Sequence, residues 1–175
     1  MPAVAQEKFI DLQVRDIRRA PDTANPDSHV VLLEERDGEH RLAIWIGREQ
    51  AILLALRLEH AELARPGTYD MTAAAIRALG GRLREVRIDR LSDNTFYAIV
   101  ALEGLQGPAE VDARPSDAIN LALAGGTPIR ADRVMVEQAV EAGARETPEL
   151  WERRDVEGSR EILHELLKPP EGSPG

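Results

Sequence analysis

No cysteine occurs among the 175 residues, which removes disulfides, thiolate metal sites and a cysteine nucleophile together and fits a reducing compartment. Aromatic residues are scarce at 3%, so a core must be aliphatic and a stacking platform for nucleobases has few residues to draw on. No window reaches the roughly 18 consecutive apolar residues that a membrane-spanning helix requires. The opening MPAVAQEKFIDLQV has no basic stretch followed by an apolar one, so no export signal is read there, no membrane contact is expected, and the expected location is cytoplasmic.

Positive charge is also in deficit. A net charge of -9 argues against a general nucleic-acid binder, whose affinity rests on Lys and Arg neutralising phosphate. The deficit is uneven, because residues 41–131 balance 11 basic against 11 acidic side chains. There Arg77, Arg82, Arg84, Arg87 and Arg90 outnumber Glu85 and Asp89. Their spacing reads first as a solvated strand face and only second as a phosphate contact. GxxxxGK[ST] and GxGxxG are both missing, and His29, His40, His60 and His164 are scattered without metal-ligand spacing.

What is present suits one domain with appendages. Phe9 to Ile17 alternates as a half-buried strand; His29–Glu35 and Arg41–Ile46 flank Asp37-Gly38, a hairpin signal. Arg82–Leu91 and Thr95–Leu102 flank Ser92-Asp93-Asn94, and Ala109–Ala113 is a further short strand. Helices are predicted over Arg48–Glu59, Tyr69–Leu79, Pro115–Ala124 and about Asp132–Ala142, with Gly80-Gly81 and Gly125-Gly126 as stops. The fold class is therefore α+β, with hairpins forming a mostly antiparallel sheet and helices packed on it. The centre of the first helix, AILLAL, is apolar on nearly every side, which predicts burial or cover by a second subunit; a homo-oligomer, with a dimer favoured, is expected. The domain is bounded at 1–142, and 143–175 is an acidic extension whose Ser159–Leu167 makes a short amphipathic helix, expected to be mobile or weakly docked.

One grouping carries chemistry. In VDARPSDAINLALAGGTPI, Pro115 suits a first helical turn and Ser116 or Asp117 can satisfy its free N–H groups. Capping does not require Asp112 and Arg114, which sit at alternate positions of a strand end and so point the same way, with Asp117 nearby. Two carboxylates and a guanidinium can hold a divalent cation and bind phosphate. The plainer alternative, in which Arg114 pairs with Asp112 or Asp117 and braces the strand–helix junction, is the commoner fate of such residues. Ser116 has no base partner that spacing identifies, which makes a serine hydrolase a poor reading. Asp70 and Glu49 each stand where an acid favours a helix start.

The order IWIGREQA (44–51), RPGTYD (65–70), NTFYAIV (94–100) and VDARPSDAINLALAGGTPI (111–129) strongly resembles the bifunctional nuclease domain family over about residues 8–142. The resemblance implies an α+β domain with a curved sheet, often self-associating, and in plant relatives an activity on both DNA and RNA. It carries over Gly47, Glu49, Arg65, Pro66, Asp70, Thr95, Phe96, Tyr97, Asp112, Arg114, Pro115, Ser116 and Asp117. Tyr69 stands where the family pattern usually has His, and Ala124-Gly125 replaces a more polar pair.

Two readings follow. In the first, a nuclease places Asp112 and Asp117, with Asp70 or Glu49, around Mg²⁺ or Mn²⁺, and Arg114 and Arg65 on phosphate, with Ser116 beside them. In the second, the cluster is a structural bracket or anion pocket in a non-enzymatic, self-associating binding or regulatory module. A single-strand binder without chemistry ranks last for want of aromatic platforms.

Overall fold

The computed structural model describes residues 8–20, 25, 27–141, 151 and 158–167. The 143–150 stretch of the extension and most of the PDTANPDS segment lie outside them.

Strand β1 (Phe9–Arg19) buries Ile10 and Leu12, then a bulge between Val14 and Asp16 inserts one residue and moves the buried parity to Ile17. It pairs with β2 (His29–Glu35), which turns through Asp37-Gly38, with Gly38 at φ +77°, into β3 (Arg41–Ile46). Gly47 leaves the strand and caps α1 (Arg48–Leu58); α2 (Thr68–Ala78) follows. The hairpin β4 (Arg82–Ser92) and β5 (Thr95–Gly104) closes through Asp93 and Asn94, both at positive φ, the geometry that matches strand twist. Strand β6 (Gly107–Ala113) pairs with β5 and feeds α3 (Pro115–Gly125), which ends on Gly126 in the left-handed region, φ +65°.

The sheet has seven strands in the order β3-β2-β1-β7-β4-β5-β6. Only β4 and β7 (Ile129–Asp132) run parallel; every other pair is antiparallel. The sequence reading places no strand between Gly125-Gly126 and the helix expected from about Asp132. Instead four residues insert between β1 and β4 and join the two antiparallel halves, and α4 (Arg133–Glu141) begins within one residue of its expected start, with Asp132 accepting from the Met135 N–H at 3.0 Å. Four residues with two buried apolar positions, Ile129 and Ala131, are too few for alternation to stand out beside a helix start.

The core is aliphatic, as the composition required: Leu54 and Ala55 of α1 and Ile119 and Ala122 of α3 meet Val86, Ile88, Ala98 and Val100 of β4 and β5 on one face of the sheet. Each such fully buried side chain of Val or Leu size contributes about 1.5–3 kcal/mol. A smaller cluster of Val30, Leu32, Ala43 and Trp151 covers β2 and β3 separately from it. Helix α1 buries one face only; Leu53 and Leu56 stay half-buried. Helix α5 (Gly158–Leu167) packs on α1 and β1, with Ile162 buried. The Ser159 hydroxyl donates to Glu59 at 2.6 Å, Arg160 pairs with the same carboxylate at 3.1 Å, and Arg19 pairs with Glu165 at 3.0 Å. These contacts seat the helix on α1 and the end of β1.

Candidate functional site

Helix α3 carries the centre of the site. Arg114 takes the extended cap conformation, φ -67° and ψ 144°, and its carbonyl accepts the Ala118 N–H at 3.0 Å, while Pro115 occupies the first turn without losing a hydrogen bond. The Arg114 guanidinium then turns onto its own helix: Nε donates to Asp117 Oδ2 at 2.6 Å and Nη2 to Oδ1 at 3.2 Å. The Tyr69 hydroxyl, from the first turn of α2, donates to Asp117 Oδ1 at 2.5 Å. One carboxylate therefore receives a guanidinium and a phenol from two separate motifs.

These contacts set the charge states. Burial pushes the Asp117 carboxyl up, but the hydrogen bonds from Arg114 and Tyr69 and the guanidinium charge outweigh it, so Asp117 sits below the ordinary carboxylate range. Burial, then the bond to Asp117, pushes the Tyr69 hydroxyl well above the usual phenol value. At neutral pH the site holds an ionised Asp117, a neutral Tyr69 and a charged Arg114. Asp117 is thus a weak proton acceptor and a strong charge partner.

A cleft of about 360 Å³ opens beside this triad, lined by Trp45, Gly47 and Gln50, by Thr95 and Phe96, and by Arg114 and Ser116. Four strands separate β3 from β5 in the sheet order, yet the end of β3 and the tip of the β4–β5 hairpin line one cleft, so the sheet is bent around α1 and α3. The bend brings three of the four motifs together, and the bond from Tyr69 ties in the fourth. The first turns of α1 and α3 both border the cleft, and free N–H groups of a helix start favour an anion. Between them lies Asn120, fully buried, whose amide donates to the Ser116 carbonyl at 3.1 Å and the Gln50 carbonyl at 3.4 Å. Sequence reasoning missed both Asn120 and the role of Tyr69; an Asn in an apolar helix run was the available signal.

The structure distributes the other expected residues. Ser116 lines the cleft. Asp70 accepts the Gly67 N–H at 3.0 Å, closing the first turn of α2, and pairs with Arg57 at 3.0 Å; the bond from Arg57 holds its carboxyl below the ordinary range. Glu49 is exposed in the first turn of α1, and Arg65 is exposed in the loop before α2. Asp112 is set apart. It lies opposite Ile99, and Ile99 opposite Arg87, so the three project to one face. Ala98 and Val100, on either side of Ile99, are buried in the core under α3, which places Asp112 on the other face of the sheet from Asp117. The alternation that aligned Asp112 with Arg114 stops at Ala113, because Arg114 already caps the helix. Among the described residues no three His, Asp or Glu side chains gather into a metal-holding group.

Residues 31–142 match the family model of the bifunctional nuclease domain. An uncharacterized protein of Mycobacterium tuberculosis (strain H37Rv) is 41% identical over 110 residues, covering 63% of this chain and 65% of that one. Bifunctional nuclease 2 of Oryza sativa subsp. japonica is 30% identical over 119 residues, 66% of this chain and 36% of its own length. Bifunctional nuclease 1 of Arabidopsis thaliana is 27% identical over 135 residues, 73% and 41% respectively. The chain spans less than two thirds of the length of each of these relatives.

Proposed function

Because the chain belongs to the bifunctional nuclease domain family, we propose that it hydrolyses phosphodiester bonds in DNA, RNA or both, acting in the cytoplasm. The observation that carries this reading is the cleft itself: two helix starts and the Arg114 guanidinium border it, an anion-binding arrangement beside an ionised carboxylate. In the reaction a water oxygen bonds to phosphorus as the bond to the leaving oxygen breaks, and the proton the water gives up to solvent is balanced by one the leaving oxygen takes from solvent. Arg114 offsets the charge that grows on the phosphoryl oxygens, Asp117 and Tyr69 hold Arg114 in place, and Ser116 contacts the phosphate.

The described carboxylates do not assemble a protein cage for a metal, and no step is assigned to one. Both Asp117 oxygens are already bonded by Arg114 and Tyr69, so Mg²⁺ or Mn²⁺ would enter with the substrate phosphate, which together with water would supply its oxygens, as such ions commonly bind. The test is cleavage of single-stranded DNA, duplex DNA and RNA by purified protein with Mg²⁺, with Mn²⁺ and with chelator. Activity restored by one ion after chelation supports the cation. Equal, residual cleavage by wild type and an Arg114→Ala variant removes the nuclease reading.

A second reading, a self-associating binding module, has its own support. Strand β6 is an edge strand, and Pro108 to Asp112 are exposed on both of its faces beside Leu105, 85% exposed. Such an edge offers unpaired backbone groups to a second copy. Sizing in solution decides it: a dimer lost when Val111→Pro blocks the edge favours assembly, and a monomer at all concentrations removes it.

A further inference from the structure

A second cleft, of about 410 Å³, has Tyr69 in its lining. Its walls are Leu53 and Leu56 of α1 and Leu63 and Pro66 of the loop before α2, with Arg65 and Tyr69 among its lining residues. The size lies within the range of small-ligand sites, about 300–1,000 Å³. Tyr69 links the two clefts: it lines this one, and its hydroxyl binds Asp117, whose partner Arg114 lines the first.

The chemistry of the walls selects an occupant. The half-buried leucines of α1 and the 50% exposed Leu63 offer apolar surface that the fold does not cover, and the aromatic residue of the lining, Tyr69, is the one bonded to Asp117. Arg65 is exposed and makes no ion pair among the described residues, whereas Arg57 deeper in is neutralised by Asp70. An apolar wall, one aromatic ring and one uncommitted guanidinium suit a flat base attached to an anionic backbone. They suit a lipid chain less well, since the cleft is open and a cation stands in its loop.

Resting on the nuclease reading, we infer that this cleft is a base-binding subsite: it takes one unpaired nucleobase of the chain whose neighbouring phosphodiester lies at Arg114, with Arg65 on the adjoining phosphate. The substrate class is then single-stranded polynucleotide, because a paired base must first leave its stack at a cost of a few kcal/mol.

The experiment is fluorescence anisotropy with a fluorescein-labelled oligothymidylate of five nucleotides, in chelator, on wild type, Arg65→Ala and Leu63→Asp. Both substitutions fall on exposed loop residues, so folding is unaffected. We expect each variant to bind at least tenfold more weakly, and an unlabelled duplex to compete at least tenfold less well than the single strand. No binding by wild type, unchanged binding by either variant, or equal competition by duplex overturns the subsite. Cleavage with Mg²⁺ or Mn²⁺, measured in parallel, separates the two claims: binding without cleavage overturns the nuclease reading alone, and cleavage unimpaired in both variants overturns the subsite alone.

Discussion

The Tyr69 hydroxyl donates to Asp117 Oδ1 at 2.5 Å, joining two motifs 48 residues apart in the chain. That bond fixes α2 against α3 and places the ring of the RPGTYD motif in contact with the carboxylate that opens α3. Tyrosine at 69 therefore supplies a hydrogen-bond donor to Asp117 and, staying protonated, no proton acceptor.

Replacing Tyr69 by Phe removes a bond to a charged acceptor while keeping the ring. We expect a loss of about 1–3 kcal/mol in urea unfolding. The tyrosinate absorbance that disappears in the variant should be the part of the wild-type titration that rises last, well above the ordinary phenol range.

How much of this was legible in the sequence differs between local and long-range features. Asp37-Gly38 and Asp93-Asn94 announced both hairpins through the turn geometry such residues allow, and Pro115 to Asp117 with Gly125-Gly126 bounded α3 through caps. The four-residue β7 gave no period to read. Asp112 and Asp117 looked like neighbours because spacing carries no information about where a strand hands over to a helix. The bend that brings Gly47 and Thr95 to Arg114, like the Tyr69 bond, depends on tertiary packing that no local pattern encodes.

The pH dependence of stability follows from the direction of the shifts. Asp117 and Asp70 are both held below their ordinary value in the fold, so what they contribute is fully present above the unfolded carboxylate pKa of about 4 and is lost as pH falls through the lower folded values. Tyr69 has the opposite sense: its contribution is present below the unfolded value of about 10 and lost as pH rises through the folded one. Unfolding free energies measured from pH 2 to 7 should fall less steeply with acid in Asp117→Asn than in wild type.

Asn120 brackets the first turns of α1 and α3 from inside the core, and its Oδ1 has no partner among the described residues. Asn120→Ala leaves the Ser116 carbonyl without this donor and opens a small cavity. We expect a loss of about 1–3 kcal/mol in denaturant titration, with a drop in cleavage rate greater than the unfolded fraction explains.

Helix α5 tolerates no side chain at its start, since a Cβ on Gly158 would run into the Ile17 carbonyl oxygen. Gly158→Ala should release the helix from β1. Hydrogen exchange would then show lost protection over residues 158–167 while the sheet stays protected.

The most direct measurement compares cleavage of a single-stranded oligonucleotide by wild type, Asp117→Asn and Asp112→Asn, each confirmed folded by its circular dichroism spectrum. The account predicts at least a hundredfold loss of kcat/KM for Asp117→Asn and a change below threefold for Asp112→Asn, which lies on the other face of the sheet. Equal losses in the two variants, or full activity in Asp117→Asn, would contradict it.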